Sequence, residues 1–197
     1  MARAIQTAET QLFSTFSVGG IFVAETAAVA IGGRSVALVA SESFVSQLLA
    51  AEVLDDGTLA TRVLTDLAGA PIPTDKVEAL DALSLGDRAF VLTVDDNHAA
   101  TLFELSEDLT LTAVDAADLS DETISTASDL FAAHGTLFLA FDRLFTNDVV
   151  IARVDPDTGF AGLPDPVILS RDDIGGGNLS DIASLSVGPR SFLYVGT

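Results

Sequence analysis

One short phrase returns down this chain of 197 residues. It reads Gly32-Gly33-Arg34-Ser35-Val36, then Gly86-Asp87-Arg88-Ala89-Phe90, then Gly188-Pro189-Arg190-Ser191-Phe192, with a degenerate copy at Gly135-Thr136-Leu137-Phe138. Counting from Gly32 to Gly86, Gly135 and Gly188 gives steps of 54, 49 and 53 residues. A unit of that length cannot bury its own apolar faces, so neighbouring copies must stack to make a core. The repeat constrains the architecture and leaves the activity open.

Each unit divides into four β runs. The first leads into the glycine turn: Ala27 to Ile31, Leu80 to Leu85, Leu130 to Ala133 and Ile182 to Val187. The second leaves it: Ser35 to Ala40, Ala89 to Val94, Leu137 to Phe141 and Ser191 to Val195. These runs are rich in Val, Leu and Phe with little alternation, as expected of strands covered on both faces. The third run is Ser46 to Leu54, Ala100 to Leu105 and Val149 to Val154, each ending in an acidic turn. The fourth is Thr58 to Leu64, Leu109 to Val114 and Phe160 to Leu169, the last broken by Pro164 and Pro166 as an outer edge tolerates. Leu67 to Val77 reads as a linker, with a short helical turn expected at Asp75 to Asp81.

Four-stranded units of this kind describe an all-β fold, a β-propeller. The expectation is a single domain over 1–197 with four blades of four antiparallel strands. Here Gln11 to Val18 and Ile21 to Glu25 supply the third and fourth strands of the last blade and close the ring. Closure removes exposed sheet edges, which otherwise recruit other chains. Two other arrangements fit the repeat: half of an eight-bladed ring that forms a homodimer, and a segment of a longer propeller.

Charge narrows the partners. Twenty-nine acidic residues against nine basic ones give a net charge of −20, and Lys76 is the only lysine. Phosphate backbones need cationic groups to displace their counterions, so nucleic acid is excluded as a partner. No apolar stretch approaches the ~20 residues that cross a bilayer as a helix, so no membrane insertion is expected. The first residues lack the apolar core of a signal peptide, which fits the cytoplasm or export without a classical leader. The absence of cysteine removes disulfides, thiolate nucleophiles and sulfur-ligated metals.

Val187-Gly-Pro-Arg-Ser-Phe-Leu-Tyr-Val-Gly-Thr197 and the turn Asp55-Asp56-Gly57-Thr58-Leu59 resemble bacterial β-propeller repeats, broadly those of the lactonase-like group. The resemblance rests on strand and turn residues over nearly the whole chain. It implies the propeller fold; a small divalent-metal-dependent hydrolase of lactonase type, working through pore-facing carboxylates, is the alternative function.

The loops expected around the central opening carry Glu42, then Asp95, Asp96, Asn97 and His98, then Asp142, Asn147 and Asp148, then Asp172, Asp173, Asn178 and Asp181. Clustered oxygen donors suit Ca²⁺, so Asp95, Asp96, Asp142, Asp148, Asp172 and Asp173 are the candidate metal ligands. The competing reading is that short acids favour loops because they bond the local backbone. Asp155-Pro-Asp-Thr-Gly159 lacks the later ligands of a calcium loop and reads as a turn. There is no nucleophile elbow, and Gly175-Gly176-Gly177 lacks the Lys and Ser/Thr of a phosphate loop. Arg34, Arg88 and Arg190 share one repeat position and are expected to pair with the acidic turns. The leading expectation is a non-enzymatic binding or structural module for a protein or small-molecule ligand, with metal-dependent hydrolysis as the alternative.

Overall fold

The computed structural model describes residues 23–41, 47–54, 56–73, 77–118, 124–143, 146–160, 166–176, 181–187 and 190–196. Its strands are β1 (Val23–Ile31), β2 (Arg34–Ser41), β3 (Leu48–Val53), β4 (Leu59–Val63) and β5 (Thr65–Asp66), then β6 (Val77–Leu85), β7 (Arg88–Asp95), β8 (Ala99–Leu105) and β9 (Thr110–Asp118). They are followed by β10 (Ile124–Ala133), β11 (Thr136–Arg143), β12 (Val149–Val154), β13 (Val167–Leu169), β14 (Asp181–Val187) and β15 (Arg190–Gly196). Among the described residues there is no helix.

The strands form four sheets: β1-β2-β3-β4, then β5-β9-β8-β7-β6, then β10-β11-β12-β13, then β14-β15. Within the first three, consecutive strands pair antiparallel, β5 alone adding parallel to β9. The first strand of each sheet packs against the first strand of the next, β1 on β6, β6 on β10 and β10 on β14. This is a propeller-like all-β arrangement. Among the described residues, the last sheet has two strands where its predecessors have four, five and four, and the first and last sheets are not joined by strand pairing. The segment Gln11 to Phe22, expected to complete the last sheet, lies outside the described residues.

Local sequence sets each hairpin. Two-residue turns between strands need positive φ, which L-residues adopt at a cost. Gly32 and Gly33 supply it at φ 55 and 75, and in the third unit His134 and Gly135 do so at φ 52 and 74. The hairpin register therefore places His134, not Gly135, opposite the role of Gly32. A histidine tolerates this region better than a branched residue would.

Apolar runs then fill the seams. Val29, Ile31, Val36 and Leu38 of sheet one meet Val77, Leu80 and Val91 of sheet two. Phe90, Leu92 and Val94 of sheet two meet Leu130, Leu137, Leu139 and Phe141 of sheet three. Ala140 and Val149 meet Ile182, with Leu193 and Val195 packed beside them, in a leaner third seam.

Two readings of the sequence are corrected. Of the helical turn expected at Asp75 to Asp81, the described residues from Val77 on are the start of β6, because Val77, Ala79 and Leu80 are buried in the seams. Val23 to Glu25, read as the end of an outer strand, begin β1, the innermost strand of sheet one. The linker is itself tied down: Leu64 N–H donates to Leu48 O (2.8 Å) and Ile72 N–H to Leu64 O (3.3 Å), with both side chains buried.

Candidate functional site

The loop acids are occupied locally. Asp95 Oδ1 accepts from the N–H groups of Asn97 and Ala99, both at 2.9 Å, closing the β7–β8 turn. Asp96 Oδ1 accepts from Asn97 Nδ2 at 3.0 Å. Asp148 Oδ1 accepts from Arg171 N–H at 3.2 Å, and Asp173 Oδ2 accepts from Ser170 N–H and Oγ at 2.9 and 2.6 Å. Those two bonds to Ser170 hold the Asp173 carboxyl below its ordinary range. Asp142 is buried near the end of β11, and Asp172 is exposed. Asp95 and Asp96 belong to sheet two, while the other four lie on sheet three and the loop after it. Among the described residues, no three His, Asp or Glu side chains stand close enough to hold a metal ion. Asp155 to Gly159 is a turn, Asp155 Oδ1 accepting from Asp157 and Thr158 N–H groups at 2.8 and 3.0 Å.

Two of the three arginines, Arg34 and Arg88, pair with acidic residues as expected, with one refinement. Each finds an acid on the third strand of its own sheet and a turn on the next. Arg34 Nη1 bonds Glu52 Oε2 at 3.1 Å, and its Nη2 donates to the Glu107 carbonyl of sheet two. Arg88 grips Glu104 with Nε and Nη2 at 2.9 and 2.8 Å. It also reaches sheet three, at Asp157 Oδ1 (2.7 Å) and Pro156 O (3.0 Å). Arg88 further lies over the Phe90 ring, 4.9 Å from its centroid.

A different group of acids converges. Glu25 on β1, Asp81 on β6, Asp129 on β10 and Asp181 on β14 line one cavity of about 390 Å³, together with Glu78 and Ser128. The strand register explains this. Asp81 and Asp129 each stand four residues before the last paired residue of their hairpin strand, Leu85 and Ala133. Glu25 and Asp181 stand six before Ile31 and Val187. Offsets that differ by two leave side chains on the same strand face, so four consecutive sheets point a carboxyl toward a common space.

Crowding like charges in a partly buried space favours protonation. Asp81 is pushed up to about 7, chiefly by burial and then by Asp129, with smaller contributions from Glu25 and Asp181; a 3.2 Å bond from Leu130 N–H opposes the shift. Burial also raises Asp129, against hydrogen bonding from Ser184, and raises Glu25 with help from Asp181. Among the described residues, the Ser128 hydroxyl and Asp129 Oδ2 are buried without a hydrogen-bond partner. The cavity thus gathers five carboxyl side chains, of which Asp81 is pushed toward carrying a proton near neutrality.

No protein-family model matches the chain, and no curated protein matches its sequence. Among solved structures, the chain is similar to an exo-β-1,3-galactanase from Phanerochaete chrysosporium determined with β-1,3-galactotriose, an enzyme with a five-bladed propeller fold. The TM-score is 0.59 at 12% identity, over 87% of this chain and 42% of that one. The chain therefore spans less than half of that enzyme's length, and the likeness is one of fold.

Proposed function

We propose that this protein is a four-bladed propeller module that binds the end of a short saccharide in its axial cavity. The observation that carries the reading is a cavity lined by residues of four consecutive sheets, with five carboxyl side chains and no basic one. Sugar hydroxyls donate well to carboxylates, and about 390 Å³ suits one or two rings. The saccharide seen with the fold neighbour supports the choice of ligand class.

Calorimetric titration with a panel of galacto-, gluco- and xylo-oligosaccharides, β-1,3-galactotriose included, tests it. At least one should bind, and Asp129→Asn should weaken that binding about tenfold or more, as losing a charged hydrogen-bond partner does. A folded protein that binds none of the panel would refute the saccharide reading.

A second reading is favoured by Asp81, a carboxyl pushed up to about 7 in a cavity it shares with four others. Glycoside hydrolysis uses one carboxylic acid and one carboxylate. New reducing ends, released with a rate that falls above pH 7 and vanishes in Asp81→Asn, would make the module an enzyme. Intact oligosaccharide after prolonged incubation leaves it a binding protein.

A further inference from the structure

We propose that the open apolar face of the last sheet is the seat of the chain's own residues 11–22. On β14 and β15, Leu185 faces Phe192 and Ala183 faces Tyr194 across the hairpin. Leu185, Phe192 and Tyr194 are 48%, 44% and 56% exposed. The corresponding face of sheet one carries Val29, Val36 and Leu38, and that of sheet two carries Phe90 and Leu92, all buried against the sheet that follows. Sheet four has the same kind of face, while its other side already rests on sheet three through Ile182, Leu193 and Val195. Three large apolar side chains on a two-stranded ribbon form the type of patch that a folded chain covers.

The occupant follows from where the chain runs. Residues of β1 and β14 line the same cavity, Glu25 and Thr26 on one side and Asp181 to Ala183 on the other. The stretch that leads into β1 therefore arrives beside sheet four. Twelve residues at about 3.3 Å each are long enough to cross a strand pair and return to Val23. Their composition also fits: residues 11–22 carry no charged side chain in a protein of net charge −20, and include Leu12, Phe13, Phe16, Val18, Ile21 and Phe22. The segment is tethered to β1, so it has the advantage of effective concentration over a second copy.

The chain provides its own probe, since Tyr194 is its only tyrosine and it has no tryptophan. Acrylamide quenching of tyrosine emission, read with the solution mass of the same sample, tests the proposal on the unmodified protein. The expected result is a monomer whose Tyr194 is quenched several-fold less than free tyrosine amide. Phe16→Asp, with the sheet content of the parent by circular dichroism, should restore quenching toward the free value. A monomer quenched as readily as the free amide would overturn the proposal. So would shielding that appears only in a dimer and dissolves on dilution, which would assign the face to a second copy. If Phe16→Asp fails to fold, hydrogen exchange on the parent decides: β15 should exchange as slowly as β7, and exchange at the rate of an open edge is the contrary outcome.

Discussion

The seam between sheets two and three and the seam between sheets three and four are built from the same repeat, yet they are held differently. The former interleaves Phe90, Leu92, Leu137, Leu139 and Phe141, all fully buried, and is buckled at its rim by Arg88. The latter relies on Ala140, Val149 and Ile182, and its rim position is Thr136. The reason for the missing arginine lies one strand away. Arg34 and Arg88 find Glu52 and Glu104, which pair with Val36 and Phe90. The residue paired with Phe138 is Arg153, so an arginine at position 136 would meet a like charge. One substitution on β12 thus settles the chemistry of a turn on β11, and the repeat is uneven in strength for a local electrostatic reason.

The largest expected effect is in the well-packed seam. Leu92→Ala should cost about 3–5 kcal/mol in denaturant unfolding, because a fully enclosed Leu leaves a cavity its neighbours cannot fill. Ile182→Val should cost about 1 kcal/mol, and sheet four should open in native-state hydrogen exchange below the global free energy. Equal protection of all four sheets would erase the contrast.

Next in size is a pH effect at the cavity side of the same seam, where Asp81 of β6 accepts from Leu130 of β10. Its folded pKa is raised, to about 7 from 3.8, so the native state holds a proton that the unfolded chain gives up. Stability from this group is complete below pH 4 and is lost as pH rises through 7, up to about 4 kcal/mol at ~1.4 kcal/mol per unit. Asp81→Asn should flatten that part of the stability curve. A wild-type curve already flat between pH 4 and 8 would show that Asp81 titrates normally.

Arg88→Ala comes third, with a loss of about 1–2 kcal/mol for a partly exposed but doubly engaged guanidinium. Smallest is a gain: Thr136→Glu, now facing Arg153, should recover about 0.3–1 kcal/mol. Salt titration of both variants separates charge from packing, since the ionic part should shrink as the Debye length falls.

Much of the fold was legible because strand and turn physics are local. The third run expected at Val149 to Val154 is β12 residue for residue, and β7 extends the run expected at Ala89 to Val94 by one residue at each end. The turns were marked by glycine, although His134 shows that the geometry rather than the residue is what repeats. The helical turn was misjudged because Val77, Ala79 and Leu80 take strand form from burial that their short polar flank does not reveal. The candidate site was the harder part. Acids in loops stand out by composition, and Asp95 and Asp173 each engage one carboxylate oxygen within their own turn. The converging carboxyls sit inside strands, where each reads singly as an ordinary polar residue. Only alignment on the hairpins, which puts Asp81 and Asp129 in step and Glu25 and Asp181 two residues behind, would have brought them together.

The arginine clasp has a direction: it always reaches from one unit's hairpin to the following unit's outer turn. Units with the same clasp are interchangeable tiles. Excising the second would bring Arg34 against the turn at Asp155 to Gly159 and leave a workable joint, whereas a duplicated third unit would carry its Thr136–Arg153 mismatch into every new copy. Growth or loss of blades in such a chain should therefore favour the first two modules.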